Sequence, residues 1–356
     1  MRTIRVGVVG CGRNSDNHLR VYSNTKEVRI IAVCDVNSTK ANEKAHKYGV
    51  DHAFTDFNSM LVLDLDLVDI VTPTSTHAEL SVRALESGHN VLIEKPMATS
   101  STECLNMIHA ARKNGRTLCV VHNKRVFKSI METKVAIERE GLAISQMRIS
   151  QFFASHNAPM WILTEQNKGI LWEALVHPVY LTQHFLGEIQ SVYAAGSKLN
   201  QSVYDSIVLV LRKDDLSGVC QFQWDVKEPL TVFQVVTKEG DRFEGDLSWD
   251  FVSRKSRRYI NRRTTALRLL HDDLHEPLAK CRVFLRNLLE TRSYQGGLPY
   301  ENTFFTLIRQ LLSFISGERC SPPVTAEEGL QSIRVLEAAE KSIKTGEVQV
   351  LERNIL

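Results

Sequence analysis

Residues 6–18 read VGVVGCGRNSDNH, and the order of residue types in them decides the fold. Val6, Val8 and Val9, with Ile4 just before, form a short apolar run suited to a strand buried on both faces. Gly10 and Gly12 follow at once. Ser15 then stands where the pattern G-x-G-x-x-G/A has its third small residue, and a helix-like stretch begins. In that pattern the first glycine makes a tight turn and the second lets the main chain approach a pyrophosphate. The helix N-terminus turns N–H groups and the positive end of its dipole toward phosphate oxygens. Asp35 ends the next apolar run, 20 residues after Ser15, where a carboxylate can bind the 2′-hydroxyl of an adenosine ribose. Its charge would repel a 2′-phosphate, so the spacing predicts NAD rather than NADP, with Arg13 and Lys40 placed to soften that preference. Two glycines alone would be an ordinary turn; the strand before, the helix after and the acid in place predict a dinucleotide site. Arg13 and Asn14, inside the turn, join Gly10, Gly12, Ser15 and Asp35 as candidate cofactor contacts.

Outward from this stretch, the first 120 or so residues alternate apolar runs with helical stretches. Residues 4–10, 28–35, 67–73, 90–96 and 117–123 read as buried strands, and the helical stretches between them mostly close near a glycine. That alternation implies βαβ units and a parallel sheet. Beyond residue 124 one helix over 128–140 is followed by strand-like segments, several with period-two alternation, as in an antiparallel sheet with one covered face. A long helical segment, 169–186, sits among them. Thr325 and Glu328 stand in capping-box spacing at the start of a last helix that stops at Gly346. The fold class read from this pattern is α/β: an N-terminal doubly wound parallel sheet of Rossmann type over 1–123, then a C-terminal α+β domain with an open, mainly antiparallel sheet over 124–356. A basic, partly helical insertion is expected over 253–300.

The 356 residues carry 44 Lys and Arg against 41 Asp and Glu, so the near balance gives no global signature of nucleic-acid or membrane binding. The 7 cysteines are scattered without a C-x-x-C pair, which predicts reduced thiols in a cytoplasmic protein and no structural metal site. No apolar run reaches membrane-spanning length, and no signal-peptide pattern precedes the first strand. Within 251–270 lie seven basic residues and no acidic one. A solvated or oligomer-forming segment is the first reading, an anion-binding one the second, and nucleic acid or membrane the third.

Residues 91–98, VLIEKPMA, run an apolar strand into Glu94, Lys95 and Pro96. Open α/β sheets bind ligands beyond the carboxyl ends of their strands, and Lys95 falls at such an end. Pro96 restricts Lys95 to extended backbone. Further on, GILWEALVHPVYL (169–181) holds Glu173 and His177 four apart, so on a helix they share a face. Pro178 predicts a kink or an irregular turn beside them.

Taken in order, GCGRNSDNH, TPTSTHAEL, NVLIEKPMA, HNKRVF, GILWEALVHPVYL and PPVTAEEGLQSIRVLEAAEKS resemble the Gfo/Idh/MocA family over nearly the whole chain except about 253–300. The resemblance implies a Rossmann domain, a second α/β domain, a substrate between them, and hydride exchange between nicotinamide and a carbinol carbon of a sugar, cyclitol or sugar derivative. It implies Glu94 near the nicotinamide ribose, Lys95 beside the reacting hydroxyl and His177 as a second acid/base group. Thr72, Pro73, Thr74 and His77 fall where the family's third-strand turn passes the cofactor, although any βα turn could look similar and His77 could simply support its helix.

Three departures bear on substrate class. Glu173 stands in place of the family's usual aspartate, the turn before 169–186 has one glycine, and Ile162 follows Trp161 where arginine is common. Oxidising a carbinol needs a base for the hydroxyl proton, and the reverse needs an acid. Lys95, His177 and Glu173 are the catalytic candidates. Asn123 and Arg125 could reach substrate oxygens or form a domain-junction network, and Trp161 could wall a sugar face or belong to a core. The expected partners are a small sugar or cyclitol and a second copy of the chain, in a homodimer or homotetramer through the C-terminal sheet. Two other readings stay open: an NAD-dependent glycosidase acting by transient oxidation, and a non-catalytic NAD-binding regulator.

Overall fold

A computed structural model describes residues 3–154, 168–199, 203–255 and 299–352. The chain divides into two units. The first holds β1 (Ile4–Val9), α1 (Ser15–Ser23), β2 (Val28–Cys34), α2 (Ser38–Tyr48), β3 (His52–Phe54), α3 (Phe57–Leu61), β4 (Leu67–Ile70), α4 (His77–Glu86), β5 (Asn90–Ile93), α5 (Ser101–Lys113) and β6 (Leu118–Val120). Its six strands are all parallel and lie in the order β3-β2-β1-β4-β5-β6. This is the doubly wound order, whose reversal between β1 and β4 opens a crevice at the strands' carboxyl ends. The central strands read as continuous apolar runs because both faces are covered: Val6, Val8, Leu67, Val68, Ile70, Val91, Leu92 and Ile93 are fully buried. β3 was not among the expected strands. It is three residues long, lies at the sheet edge and has no buried side chain, so it carries neither periodic signal.

The second unit begins at Lys124. It holds α6 (Lys128–Glu140) and β7 (Ile144–Phe153), and receives the later part of α7 (Gly169–Leu186), which starts in the first unit. There follow β8 (Ser191–Ser197), β9 (Ser206–Lys213), β10 (Leu216–Trp224), β11 (Leu230–Thr237), β12 (Arg242–Asp246) and β13 (Phe251–Lys255). The chain then enters α8 (Pro299–Ile315), α9 (Ala326–Thr345) and β14 (Gln349–Val350). Eight strands form one sheet in the order β13-β12-β11-β7-β10-β9-β8-β14, antiparallel at every join except β10 with β7. Strand β9 alternates as the sequence predicts: Ile207, Leu209 and Leu211 are buried, while Val208, Val210 and Arg212 face out.

The units are not two consecutive stretches, because residues 304–337 and the described residues 168–176 belong with the first. The reason lies in packing on the parallel sheet. Cys119 in β6 bridges to Thr325, a Cβ on Gly329 would touch Met97 and Val120, and Arg112 of α5 pairs with Glu327 at 2.8 Å. The start of the expected basic insertion is strand β13. Arg254 there meets Glu140 and Asp241, and Lys255 meets Glu244, all within 2.9 Å. Residues 256–298, which hold the expected helix of the insertion, lie outside the described residues, and its last two residues begin α8. Helix α7 runs unbroken through Pro178, so the irregular turn expected there is absent.

The capping box is present: Thr325 N–H donates to Glu328 Oε2 at 2.9 Å, and Glu328 N–H to Thr325 Oγ1 at 3.2 Å. Thr325→Ala removes one arm and should cost about 1 kcal/mol, lowering the thermal midpoint by roughly 2 °C in a chain of this size. Thr325→Ser should restore both, read by thermal melts of the three proteins.

Candidate active site

The turn after β1 is shaped by what a side chain would hit. Gly10 has φ +93°, and a Cβ there would lie 2.4 Å from the Val71 carbonyl oxygen, so only glycine fits. At Gly12 a Cβ would meet no atom within 4 Å. The main chain at Gly12 is therefore open on the side that the fingerprint assigns to a pyrophosphate. Ser15 is buried, and its hydroxyl folds back to donate to the Gly12 carbonyl at 2.7 Å. That bond explains how a hydroxymethyl group stands where glycine or alanine is usual. Arg13 is exposed.

Asp35 follows β2, and both its oxygens are aimed by the main chain. Cys11 N–H donates to Oδ2 at 2.7 Å and Asn37 N–H to Oδ1 at 2.8 Å. The acid is thus fixed beside the glycine turn, where the ribose hydroxyl needs an acceptor. Gly12 and Asp35 both fit a bound NAD, whose contribution is a carbon that accepts or delivers hydride.

The second half of the sheet carries the ionisable groups. Glu94, directly after β5, is buried, and its N–H is tied to the Ile70 carbonyl at 3.1 Å. Its Oε1 accepts from the Asn14 amide at 2.7 Å and meets His18 Nε2 at 3.0 Å, while Oε2 accepts from Lys95 N–H at 3.0 Å. His18, on α1 and fully buried, meets Asp69 Oδ2 of β4 at 2.8 Å through Nδ1. Tyr22 donates to the same Asp69 oxygen at 2.8 Å. Burial pushes His18 toward neutrality, but Asp69 and Glu94 outweigh it and raise its pKa to about 10. Burial likewise pushes Glu94 up, yet His18 and Lys95 bring it below the ordinary carboxylate value. Neither His18 nor Asp69 was among the sequence candidates. A signal was available: an aspartate inside the buried run LVDIV has to be matched by hydrogen bonds or a cation.

Lys95 itself sits largely out of solvent. Its Nζ contacts Glu173 twice, at Oε2 (2.9 Å) and at the carbonyl (3.1 Å). Thr74 donates to the other carboxylate oxygen of Glu173 at 2.7 Å. The sequence placed Glu173 beside His177; the structure gives both its oxygens to Thr74 and Lys95. The peptide between Lys95 and Pro96 is cis. His77 spans two carbonyls, Pro96 at 2.9 Å and Thr72 at 2.9 Å, so it braces the Lys95 turn against the turn after β4; burial holds its pKa below the usual value. Thr72 and Pro73 line that second turn, where Thr76 Oγ1 bonds Thr72 Oγ1 at 2.7 Å and the Pro73 carbonyl at 2.8 Å.

In the second unit, His177 Nδ1 lies 2.8 Å from the Tyr180 hydroxyl, which accepts from Lys124 N–H at 3.1 Å. Lys124 is buried, with Nζ 3.0 Å from Gln151. Arg125 is half-buried, and Asn123, which ends the first unit, is buried. Trp161 lies outside the described residues. Among the described residues no cluster of His, Cys, Asp or Glu could hold a metal, and no helix is long and apolar enough to cross a membrane.

Comparison with known proteins fits this geometry. Residues 4–122 match the model of an oxidoreductase family with an NAD-binding Rossmann fold, and residues 143–241 match the Gfo/Idh/MocA C-terminal domain. The chain belongs to the Gfo/Idh/MocA oxidoreductase family. Among its relatives is inositol 2-dehydrogenase of Salmonella typhimurium (strain LT2), 24% identical over 63% of this chain and 70% of that one. Another is the NADP(+)-dependent scyllo-inositol 2-dehydrogenase of Bacillus subtilis (strain 168), 27% identical over 61% of this chain and 68% of that one. The WlbA dehydrogenase of Bordetella pertussis, solved with NADH and UDP-GlcNAcA, superposes with TM-score 0.81 over 99% of both chains at 22% identity; at that identity the likeness speaks for the shared fold. The chain is thus an NAD-binding oxidoreductase of the Gfo/Idh/MocA family.

The two glycines separate folding from binding. Gly12→Val should leave the thermal midpoint of the free protein unchanged and weaken NADH binding more than about tenfold, since its side chain projects into the pyrophosphate approach. Gly10→Ala should lower the midpoint itself. Melts and NADH fluorescence titrations distinguish the two.

Proposed function

We propose that the protein exchanges hydride between NAD and a carbinol carbon of a sugar, cyclitol or nucleotide-sugar, with Lys95 moving the hydroxyl proton. The observation that carries this reading is the Lys95–Glu173 pair: Nζ to Oε2 at 2.9 Å, the two side chains 16% and 9% exposed, at the carboxyl end of a strand of the NAD-binding unit. A carboxylate against the ammonium favours its charged form. Lys95 therefore rests as an acid, poised to protonate an alkoxide as hydride arrives. In the oxidising direction the same nitrogen must first give up that proton, and as the neutral amine it takes the proton of the hydroxyl. Thr74, bonded to Glu173, keeps the carboxylate turned toward Lys95. His177, one helical turn beyond Glu173 on α7, is the second proton-handling group, its ring fixed by Tyr180. The relatives support the substrate class, since their names include two inositol dehydrogenases and a dehydrogenase bound to a nucleotide-sugar acid.

Formation of NADH, followed by absorbance across sugars, inositols and nucleotide-sugars, tests the reading. On the best substrate Lys95→Met should lower kcat by about 10²- to 10⁴-fold, the usual contribution of a general acid or base, with NADH affinity within a few-fold of wild type. Equal activity of the two proteins would remove Lys95 from the chemistry. Product released from glycosides without net NADH would favour transient oxidation, and NAD binding with no turnover on any substrate would favour a regulator.

The outward face of the second unit's sheet supports self-association. Tyr193, Val208 and Val210 are 42%, 39% and 37% exposed, and Tyr193 stands opposite Val210 across β8 and β9. A contiguous apolar patch of this kind on a sheet is characteristic of an interface. Val208→Lys combined with Val210→Glu should convert a dimer or tetramer into monomer in light scattering, with the thermal midpoint of each unit changed little. A wild-type protein that is monomeric at all concentrations would refute this interface.

A further inference from the structure

The buried charges of the first unit alternate in sign. From Asp69 the line passes to His18 at 2.8 Å and to Glu94 at 3.0 Å, continues through the adjacent residue Lys95, and ends on Glu173 at 2.9 Å. Lys95 and Glu173 offset each other. With the imidazole protonated, the Asp69, His18 and Glu94 group keeps one net negative charge, with Glu94 next to the Lys95 turn. In the strand order found here, β1 to β3 form one mononucleotide-binding half and β4 to β6 the other. Glu94 directly follows β5, in the half opposite Asp35, and so on the side left to the nicotinamide end of the cofactor.

We propose that His18 is a positioning residue that holds Glu94 in place as a carboxylate, and that the charge so held makes the protein favour oxidised NAD over NADH. A single proton decides the charge of this group. Glu94 is 5% exposed, and burial alone would drive it to its neutral form. The imidazolium prevents this and also fixes the carboxylate's rotation, by binding the oxygen that Asn14 binds and leaving the other to Lys95 N–H. Asp69 in turn keeps the proton on His18. Its Oδ2 receives both His18 and Tyr22, and its Oδ1 is buried with no hydrogen-bond partner among the described residues. Phe304 lies against the imidazole, ring centroids 5.2 Å apart, which helps keep water from the group. A fixed negative charge attracts the cationic oxidised ring and has no such attraction for the neutral reduced one. The proposal rests on NAD binding by the first unit and not on the substrate reading, so failure of the Lys95 experiment would leave it standing.

The test is the ratio of dissociation constants for NAD and NADH, measured by calorimetry and fluorescence from about pH 5.5 to about pH 9, a window that brackets the ordinary histidine pKa. The titratable groups facing Glu94 among the described residues are His18 and Tyr22 from α1, Asp69 from β4, His77 from α4, Lys95 beside it, and Glu173 from α7 through Lys95. In wild type Glu94 stays ionised throughout, so the ratio should be flat. In His18→Gln the pKa of Glu94 rises. Below it Glu94 is neutral, and NAD binding should weaken relative to NADH by about tenfold at the acid end, which for a two-electron couple corresponds to about 30 mV in the potential of the bound cofactor. Asp69→Asn, which leaves the imidazole in place but weakens its hold on the proton, should shift the ratio in the same direction; it serves as the second variant if His18→Gln fails to fold. His18→Arg, which restores a cation, should bring the ratio back toward wild type. A purely structural role for His18 predicts both cofactor forms weakened equally with a pH-independent ratio, and that result, or a wild-type ratio that falls with pH, would overturn the proposal.

Discussion

A carboxylate buried at the end of a strand has to be given positive charge and hydrogen bonds, or it takes a proton. Glu94 meets this constraint with three different segments of chain: Asn14 from the glycine turn, His18 from the first helix, and the N–H of Lys95 from its own turn. Those contacts tie the glycine turn after β1 to the turn that carries Lys95. Breaking a buried ion pair by removing one partner costs about 3–5 kcal/mol, mostly because the other charge is left uncompensated. The geometry around Lys95 is therefore inherited from a network centred one residue earlier.

From that network the rest of the candidate site follows in steps. Glu94 fixes the backbone at Lys95, His77 braces the same turn through the Pro96 carbonyl, and Glu173 receives the ammonium. Thr74 completes the arrangement by holding the other oxygen of Glu173. A glutamate reaches further than the aspartate usual in the family, and here its second oxygen is spent on a threonine hydroxyl rather than left free. Asp35, after β2, and Glu94, after β5, lie in opposite halves of the sheet, on either side of the β1–β4 reversal.

Much of this was legible in the sequence because it is local. The glycine turn, Asp35, the strand into Lys95, the helices over 128–140 and 169–186, and the Thr325 capping box each depend on residues close in sequence. The missed features depend on distance or on weak patterns. Asp69 and His18 are 51 residues apart and meet only because β4 lies beside β1. Strand β3 and the first residues of the basic segment, now β13, are edge strands whose side chains carry little burial signal. Helix α8 went unread because nothing in its flanks marks a start as plainly as Thr325 does for α9. The partner of Glu173 was misassigned for a related reason: helical spacing points to His177, while the ammonium that it meets arrives from residue 95, across the fold. Spacing along a helix shows which side chains can meet, and charge decides which of them do.

Whether the site is built around a buried His18 imidazolium is read from histidine-selective ¹⁵N NMR of the free protein, following the two ring nitrogens of His18, assigned by its loss in His18→Gln. Both nitrogens should carry protons, and the ring should stay charged until its pKa of about 10. A His18 that is neutral at neutral pH, with a single protonated nitrogen, would contradict it.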